Sequence, residues 1–183
     1  MMEITKTAMP EVLLIKPRTF HDQRGYFYES FQADRYREYL PPFVQDNCST
    51  SKQHVIRGLH YQQTRPQGKL IFVPHGRILD VAVDIRRGSS YFGQYVAIEL
   101  SDENNYQLYI PPGFAHGFCV LSERADVIYK CTDYYCPTAE RGILWNDPTI
   151  QIAWPIDRPI MSDKDVAYHY LNDVEQDELP KLT

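Results

Sequence analysis

The sequence predicts a mainly β protein, an antiparallel sandwich or barrel with a few short helices. Short strand-like runs recur along most of the chain, turn signals separate them, and a single segment has a convincing helical pattern. Many short strands at even spacing, without helices alternating between them, are typical of this architecture.

The predicted strands are short apolar or alternating segments bounded by turn residues. They are EVLLI (11–15), YFYESF (26–31), KLIFV (69–73), ILDVAVDI (78–85), YVAIEL (95–100), YQLYI (106–110), GFCVL (117–121) and ADVIYKC (125–131). The separating turns are PHG (74–76), RRGSS (86–90), DENN (102–105) and PPG (111–113). The predicted helix, ADRYREYL (33–40), is stopped by Pro41 and Pro42, because proline cannot continue a helix.

One strand, ILDVAVDI, carries a further pattern. Its alternation places Val81, Val83 and Ile85 on one face. Asp80, Ala82 and Asp84 lie on the other face. The polar face either lines the mouth of a ligand-holding barrel or forms a solvent-facing row, and the pattern alone favours neither.

The length and composition indicate one globular domain over residues 1–183, with a looser, Pro- and Asp-rich tail from about residue 155. Hydrophobic residues make up 43% and charged residues 23%, which excludes a disordered chain. The formal charge of −5 argues against a nucleic-acid partner. Without a membrane-length apolar run or an apolar signal core, we expect a soluble, cytoplasmic protein.

The four cysteines, Cys48, Cys119, Cys131 and Cys136, form no CxxC pair. Their simplest interpretation is free thiols in a reducing compartment. A zinc site has only weak support from these spacings.

Polar residues concentrate in segments where turn chemistry does not explain them. These are FHDQRGYFYESF (20–31) with VQDNCSTS (44–51), VIRGLHYQQTRPQGKLIFV (55–73), and IPPGFAHGF (110–118). His60 and His116 lie in the last two. A lone histidine is more often a hydrogen-bonded structural residue than a catalyst, and the pattern does not show whether the segments meet in space.

The same segments, in this order and spacing, resemble the dTDP-4-dehydrorhamnose 3,5-epimerase family of dTDP-L-rhamnose biosynthesis. The matching blocks are DQRGYFYESF, FVQDNCSTS, VIRGLHYQ, QGKL, DVAVDIRRGSSYFGQ, QLYIPPGFAHGF, YKCTDYY, ILWNDP and SDKD. The resemblance implies a cupin-type jelly-roll barrel that works as a homodimer. It also implies epimerisation of dTDP-4-dehydro-6-deoxy-D-glucose at C3 and C5, giving dTDP-4-dehydro-L-rhamnose. No cofactor is required, because both C–H bonds are α to the C4 ketone and deprotonation gives an enolate.

The resemblance also implies roles for individual residues. His60 matches the general base, and Asp165 matches the carboxylate that orients it. Tyr129 matches the proton donor on the opposite face, and Lys69 matches the substrate-binding cation near the enolate oxygen. His116 matches a histidine that contacts the substrate.

Further positions match residues that bind the nucleotide sugar. They are Arg24, Arg57 and Lys164, whose charges suit a diphosphate; Tyr135, which matches the ring stacked on thymine; and Glu29, Gln45, Asp46, Asn47 and Glu140.

The chain lacks the HxH pair that metal-binding cupins supply, because the RGLHYQ segment offers one histidine. We therefore expect no catalytic metal, and a metal-dependent cupin oxygenase is disfavoured. Two alternatives remain: an epimerase of one carbon (C3 or C5) in another dTDP-4-keto-deoxysugar pathway, and a non-catalytic sugar-nucleotide-binding cupin. The presence of His60 and Tyr129 disfavours the second.

Overall fold

Two antiparallel sheets packed face to face form the body of the protein in a computed structural model that describes residues 2–182. The strands are β1 (Glu3–Lys6), β2 (Leu13–Lys16), β3 (Thr19–Asp22), β4 (Gly25–Tyr28), β5 (Gln45–Lys52), β6 (Ile56–Gln62), β7 (Lys69–His75), β8 (Arg77–Asp84), β9 (Tyr95–Ser101), β10 (Gln107–Ile110), β11 (Phe114–Val120), β12 (Arg124–Cys131) and β13 (Glu140–Gly142). One sheet has the order β1-β2-β10-β7-β12-β5 and the other β13-β6-β11-β8-β9, while β3 and β4 form a separate hairpin. The predicted mainly β, antiparallel architecture is confirmed.

The main core lies between the sheets, where strands of both contribute inward-facing side chains. It includes Ile71 and Val127 from the six-stranded sheet and Ala82 and Phe118 from the five-stranded sheet, each buried. Apolar burial of this kind is the dominant favourable term in folding, so this core holds the two sheets at a fixed separation. A cavity opens between the same two sheets.

Both faces of β8 are buried, which shows that the solvent-facing interpretation of its polar row is wrong. Asp80 and Asp84 are fully buried on the face that also carries Ala82. Val81 and Val83 pack in a second cluster on the outer face, with Leu59. The C-terminal part of the chain covers that outer face, so neither side of the strand meets water.

The segment from about residue 155 has little regular structure, yet it packs against the outer face of the five-stranded sheet. It contains the one-turn helix α2 (Asp163–Val166) and a 3-10 turn at Leu171–Asp173. Leu171, Val174 and Leu179 are buried there. This packing brings α2 against β6.

The predicted helix over residues 33–40 is shorter in the structure. Helix α1 spans Ala33–Tyr36, and the Gln32 side chain caps it by accepting a hydrogen bond from the Arg35 N–H at 2.7 Å. The Tyr36 carbonyl then accepts from both the Tyr39 and Leu40 N–H groups, which closes the segment as a turn. Tyr36 and Leu40 are buried against the outer face of the six-stranded sheet.

Several strands escape sequence prediction, and β5 and β6 are the most important for function. No strand is predicted there from the sequence, because these polar segments lack the apolar alternation of a half-buried strand. In β5 the inward positions are Gln45, Asn47, Ser49 and Ser51, so the face that points between the sheets is itself polar. Within the described residues, no helix is long and apolar enough to cross a membrane.

Candidate active site

A cavity of about 330 Å³ opens between the two sheets. Strands β5, β7 and β12 form one wall, and β6, β11 and β13 form the other. The lining residues are Gln45, Asn47, Ser49, Arg57, His60, Tyr61, Gln62, Gln67, Lys69, His116, Phe118, Tyr129, Tyr135 and Glu140. Polar and aromatic side chains that converge in one concavity are typical of a small-molecule site.

His60, on β6, is bound to the carboxylate of Asp165, which lies 105 residues later in α2. The His60 Nε2 atom is 2.7 Å from Asp165 Oδ1. The Gly58 N–H donates to Asp165 Oδ2 at 3.3 Å, and the Ser162 hydroxyl accepts from the Asp165 N–H at 3.1 Å. Asp165 is buried and held by the Gly58 N–H and the Ser162 hydroxyl, so it fixes the position of the His60 Nε2 atom.

Asp165 remains ionised despite its burial. Burial by itself raises the pKa of a carboxyl group, but the hydrogen bond and positive charge of His60 act against it. The bonds from Gly58 and Ser162 add to this effect, and the pKa of Asp165 is lowered as a result. A buried carboxylate therefore stands beside His60 at neutral pH.

The geometry also distinguishes the two ring nitrogens of His60. When Nε2–H donates to a carboxylate, the neutral ring carries its free lone pair on Nδ1. That atom is 4.0 Å from Glu140 Oε1, and both side chains line the cavity. Nδ1 is thus the nitrogen available to accept a proton from a bound molecule.

A second histidine–carboxylate pair lies deeper, between β11 and β8. His116 Nε2 is 2.8 Å from Asp80 Oδ1, and both residues are buried. Burial lowers the pKa of His116, the Asp80 carboxylate opposes that shift, and the charges of Lys69 and His60 reinforce it. The lowered pKa keeps the imidazole of His116 neutral. It lines the cavity beside His60, which is its cross-strand neighbour.

Lys69 and Tyr129 lie on the opposite wall from the two histidines. They occupy adjacent strands, β7 and β12, with the Lys69 Nζ atom 5.9 Å from the centroid of the Tyr129 ring. Burial lowers the pKa of Lys69 and raises that of Tyr129. The phenol therefore keeps its proton well above neutral pH.

Glu140 organises the mouth of the cavity. Its Oε2 atom accepts hydrogen bonds from the Tyr135 hydroxyl at 2.6 Å and from Lys164 Nζ at 2.9 Å. Burial opposes ionisation of Glu140, but Tyr135, Lys164 and His60 outweigh it and lower its pKa. The Tyr135 N–H is held by Gln45 Oε1 at 2.8 Å. The half-exposed Tyr135 ring thus stands at the rim with a cation nearby.

Arg57 supplies a second cation to the cavity lining. Its Nε donates to the Ser51 hydroxyl at 2.9 Å, which anchors the guanidinium beside the polar row of β5. The Gln45 and Asn47 side chains, bonded to each other at 3.0 Å, continue that row towards the mouth.

Five of the residues matched from the sequence are not among those that line this cavity. Asp165 and Lys164 bind the lining residues His60 and Glu140, whereas Asp46, Arg24 and Glu29 lie elsewhere. Asp46 points to the other face of β5, where Lys130 Nζ binds it at 2.9 Å. Arg24 and Glu29 lie in and just after the β3–β4 hairpin. There Arg24 pairs with Asp22 and Glu29 with Arg35. The physical reason for the Asp46 result is the alternation of β5, which sends its neighbours Gln45 and Asn47 inwards.

The structure also places in the cavity residues that sequence reasoning missed. These are Ser49, Tyr61, Gln62, Gln67 and Phe118. From the sequence, Asp80, the partner of His116, is recognisable only as part of an alternating polar face. That alternation is the sequence signal that could have revealed its role, since a carboxylate that points into a barrel needs a hydrogen-bonding or charged partner.

The four cysteines, all within the described range, are unpaired, as the sequence predicts. Residues 2–182 contain no cluster of three or more His, Cys, Asp or Glu side chains arranged to hold a metal ion.

Comparison with known proteins identifies the family. The sequence profile described as dTDP-4-dehydrorhamnose 3,5-epimerase matches residues 6–173. The chain belongs to this family. Two relatives are dTDP-4-dehydrorhamnose 3,5-epimerases. The one from Pseudomonas aeruginosa is 51% identical over 168 residues, which cover 90% of this chain and 93% of the relative. The one from Neisseria gonorrhoeae is 52% identical over 91% of this chain, which spans about half (52%) of that protein's length.

A solved structure extends the match to three dimensions. The dTDP-6-deoxy-D-glucose-3,5-epimerase from Legionella pneumophila, in complex with dTDP-4-keto-L-rhamnose, has a TM-score of 0.97 and 50% sequence identity, covering 100% of both chains. The family, the cupin-type fold and the isomerase class predicted from the sequence are therefore confirmed.

Proposed function

We propose that this member of the epimerase family inverts both C3 and C5 of dTDP-4-dehydro-6-deoxy-D-glucose, giving dTDP-4-dehydro-L-rhamnose. One observation carries the proposal. The His60–Asp165 pair belongs to one wall of the cavity, while Tyr129 and Lys69 belong to the other. Inversion requires a base on one face of the sugar and an acid on the other, and the two walls supply them.

Proton removal is the first step of the proposed reaction. His60 Nδ1 takes the hydrogen from the carbon next to the C4 ketone, and the C–H electron pair moves into an enolate. Asp165 stabilises the imidazolium that forms, and Lys69 stabilises the negative charge on O4. Both effects are stronger in the cavity than in bulk water, because charges interact more strongly where the effective dielectric constant is lower.

Proton return completes the inversion. Tyr129 donates its phenolic proton to the same carbon from the opposite wall, so the configuration changes. The raised pKa of Tyr129 supports this role, since the group must hold its proton until the enolate forms. His60 then carries the abstracted proton and Tyr129 is a phenolate, and exchange with solvent restores both for the second carbon.

The mouth of the cavity suits the nucleotide end of the substrate. Tyr135 offers a half-exposed ring for stacking on thymine, and Arg57 and Lys164 offer cations for the diphosphate. Gln45 and Asn47 add hydrogen-bonding groups between the mouth and His60, and His116 adds one beside His60. The Legionella relative holds its ligand within the same fold, which supports this arrangement.

The functional unit proposed is a homodimer. Arg24 and Glu29, matched as substrate-binding residues, lie outside the cavity of their own chain. Phe20 and Phe27 on the same hairpin are 51% and 68% exposed, and a groove beside α1 runs along it. Exposed aromatic residues are enriched at protein interfaces. A hairpin that reaches the partner's cavity would bury these rings and deliver both charged residues.

No metal enters this mechanism. The Nε2 atoms of His60 and His116 are both engaged by carboxylates at 2.7 and 2.8 Å, and the chain has no HxH pair. We expect exhaustive EDTA treatment to leave kcat and KM unchanged. Loss of activity on chelation that one specific ion restores would contradict this part of the proposal.

We also place the protein in the cytoplasm, without nucleic-acid or membrane partners. The four unpaired cysteines support a reducing compartment, and the net charge of −5 disfavours nucleic acid. Cell fractionation with an antibody to the protein tests the location, and recovery in the periplasmic or membrane fraction would contradict it.

Deuterium exchange from D2O into the dTDP-4-keto sugar tests the chemistry, with NMR reading C3 and C5 separately. We expect the wild type to incorporate deuterium at both carbons with inversion, and His60→Ala to incorporate none. Asp165→Asn should be slowed less severely, because the base remains but loses its orienting carboxylate. Exchange at one carbon alone would indicate the single-carbon epimerase instead.

A matched control is available on the surface. His75 also pairs with a carboxylate, with Nδ1 3.6 Å from Asp102 Oδ2, but it lies outside the cavity. His75→Ala should retain wild-type exchange at both carbons. Near-normal exchange by a folded His60→Ala protein would show that the base is another residue.

A further inference from the structure

Tyr168 packs directly against the imidazole of His60 from outside the cavity. The two ring centroids are 5.8 Å apart with an interplanar angle of 73°, an edge-to-face arrangement. Tyr168 follows α2, the helix that carries Asp165. The next residue, His169, accepts a hydrogen bond from the Leu144 N–H at 2.9 Å, which holds this stretch beside the end of β13.

The space that the Tyr168 ring occupies depends on the glycine at position 142. On β13, Gly142 is the cross-strand partner of His60. A Cβ atom at position 142 would lie 2.2 Å from Cε2 and 2.4 Å from Cδ2 of Tyr168. The ring therefore occupies the space that a side chain at 142 would fill, and the two positions are sterically coupled.

The Tyr168 hydroxyl stays neutral in this environment. Burial raises its pKa, and the negative charges of Glu140 and Asp165 raise it further. The side chain is not among those that line the cavity. Tyr168 thus contacts the base without itself lining the cavity.

We propose that Tyr168 is a positioning residue, which holds the His60 ring with Nε2 on Asp165 and Nδ1 towards the substrate. This inference rests on the proposed function of His60. The single hydrogen bond to Asp165 fixes one atom of the imidazole but allows the ring to swing about it. The edge-to-face contact removes that freedom, and Gly142 leaves the room for it.

Three variants test this role through the steady-state kinetics of the epimerisation. Tyr168→Ala should lower kcat about tenfold with KM within about twofold of wild type, because the base is misoriented while the binding groups are intact. Tyr168→Phe should retain wild-type kcat, since the ring and not the hydroxyl makes the contact. Tyr170→Ala, two residues further on at the surface, is the control and should match wild type.

A spectroscopic signature separates positioning from general stability. Side-chain ¹⁵N NMR of His60 should show one dominant Nε2–H tautomer in wild type and Tyr168→Phe, and a mixed population in Tyr168→Ala. Gly142→Ala should reproduce the fall in kcat, because the new methyl group displaces the Tyr168 ring. In the Tyr168→Ala background the ring is absent, so Gly142→Ala should lower kcat little further. If Tyr168→Ala does not fold, Tyr168→Leu fills much of the volume without a flat ring and is expected to show the same kcat loss.

The outcomes distinguish this inference from the proposed function. An active wild type with unchanged kcat and unchanged His60 tautomer in folded Tyr168→Ala would overturn the positioning role alone. A lower kcat together with a clearly raised KM, and no change in the His60 tautomer, would also overturn it. A wild type that exchanges no deuterium at either carbon would instead refute the proposed function.

Discussion

Burial acts in opposite directions on the pKa values of the two ionisable residues that share the wall facing His60. It penalises the charged form of each, so the pKa of Lys69 falls and that of Tyr129 rises. The phenol is thereby kept as a proton donor. The charges of Cys131, Asp80 and Glu140 oppose the desolvation of Lys69 but do not cancel it, so its pKa stays below that of a free lysine.

The first prediction concerns the alkaline limb of the pH–rate profile. Lys69 acts as a cation in the proposed mechanism, and its lowered pKa means that activity is lost at lower pH than a free lysine would allow. When each pH–rate profile is normalised to its own maximum, Lys69→Arg should move the alkaline limb to higher pH, because a guanidinium stays charged. Lys130→Arg, outside the cavity, is the control. An unmoved limb in Lys69→Arg would show that another group titrates there.

Tyr129→Phe should separate proton removal from inversion. The base and its carboxylate remain, and the loss of one hydroxyl changes the packing little. We expect deuterium incorporation to continue while much less inverted product forms, because the enolate is reprotonated mainly from the His60 side. NMR of the sugar in D2O measures both quantities. Inversion of both carbons at the wild-type rate would show that Tyr129 is not the acid.

At the level of elements, the C-terminal segment carries a residue of the site although it has little regular structure. Asp147 anchors it: Oδ1 accepts from the Thr149 and Ile150 N–H groups at 2.7 and 3.0 Å. Oδ2 accepts from the Leu171 N–H at 2.5 Å. One buried carboxylate therefore ties the loop after β13 to the stretch that follows α2.

Asp147→Ala should lower the free energy of unfolding by roughly 2–3 kcal/mol, because three backbone donors lose their acceptor in or near the interior. Urea denaturation followed by fluorescence measures the change. Asn146→Ala, its exposed neighbour, is the control and should stay within about 0.5 kcal/mol of wild type. Equal stability of the two variants would show that solvent replaces these hydrogen bonds.

At the level of the whole molecule, the β3–β4 hairpin is the feature on which the proposed homodimer rests. Its aromatic residues are exposed, and its two matched binding residues lie outside the cavity. A second copy of the chain accounts for both facts at once.

Phe27→Asp should therefore convert the protein to a monomer and raise KM about tenfold or more, since a charge at the centre of an apolar contact prevents association. Light scattering after gel filtration gives the mass, and steady-state kinetics give KM. Phe92→Asp, at a partly exposed phenylalanine between β8 and β9, is the control for surface charge. A Phe27→Asp protein that keeps the wild-type mass and KM would contradict the dimer.

The sequence by itself determined the fold class and the family, and it matched His60, Lys69 and Tyr129 to the roles proposed for them. Apolar alternation and turn residues are local signals, and the family blocks preserve their order along the chain. The same local patterns missed β5 and β6, because their inward faces are polar where they line the cavity.

Only the tertiary structure decided which side chains meet. Asp80 was visible as an alternating residue, but its role as the partner of His116 depends on the pairing of β8 with β11. Asp46, matched with its neighbours, points away from them because successive residues of a strand face opposite sides. The contact between Tyr168 and His60 joins segments more than 100 residues apart, and packing sets such distances, which no local pattern encodes.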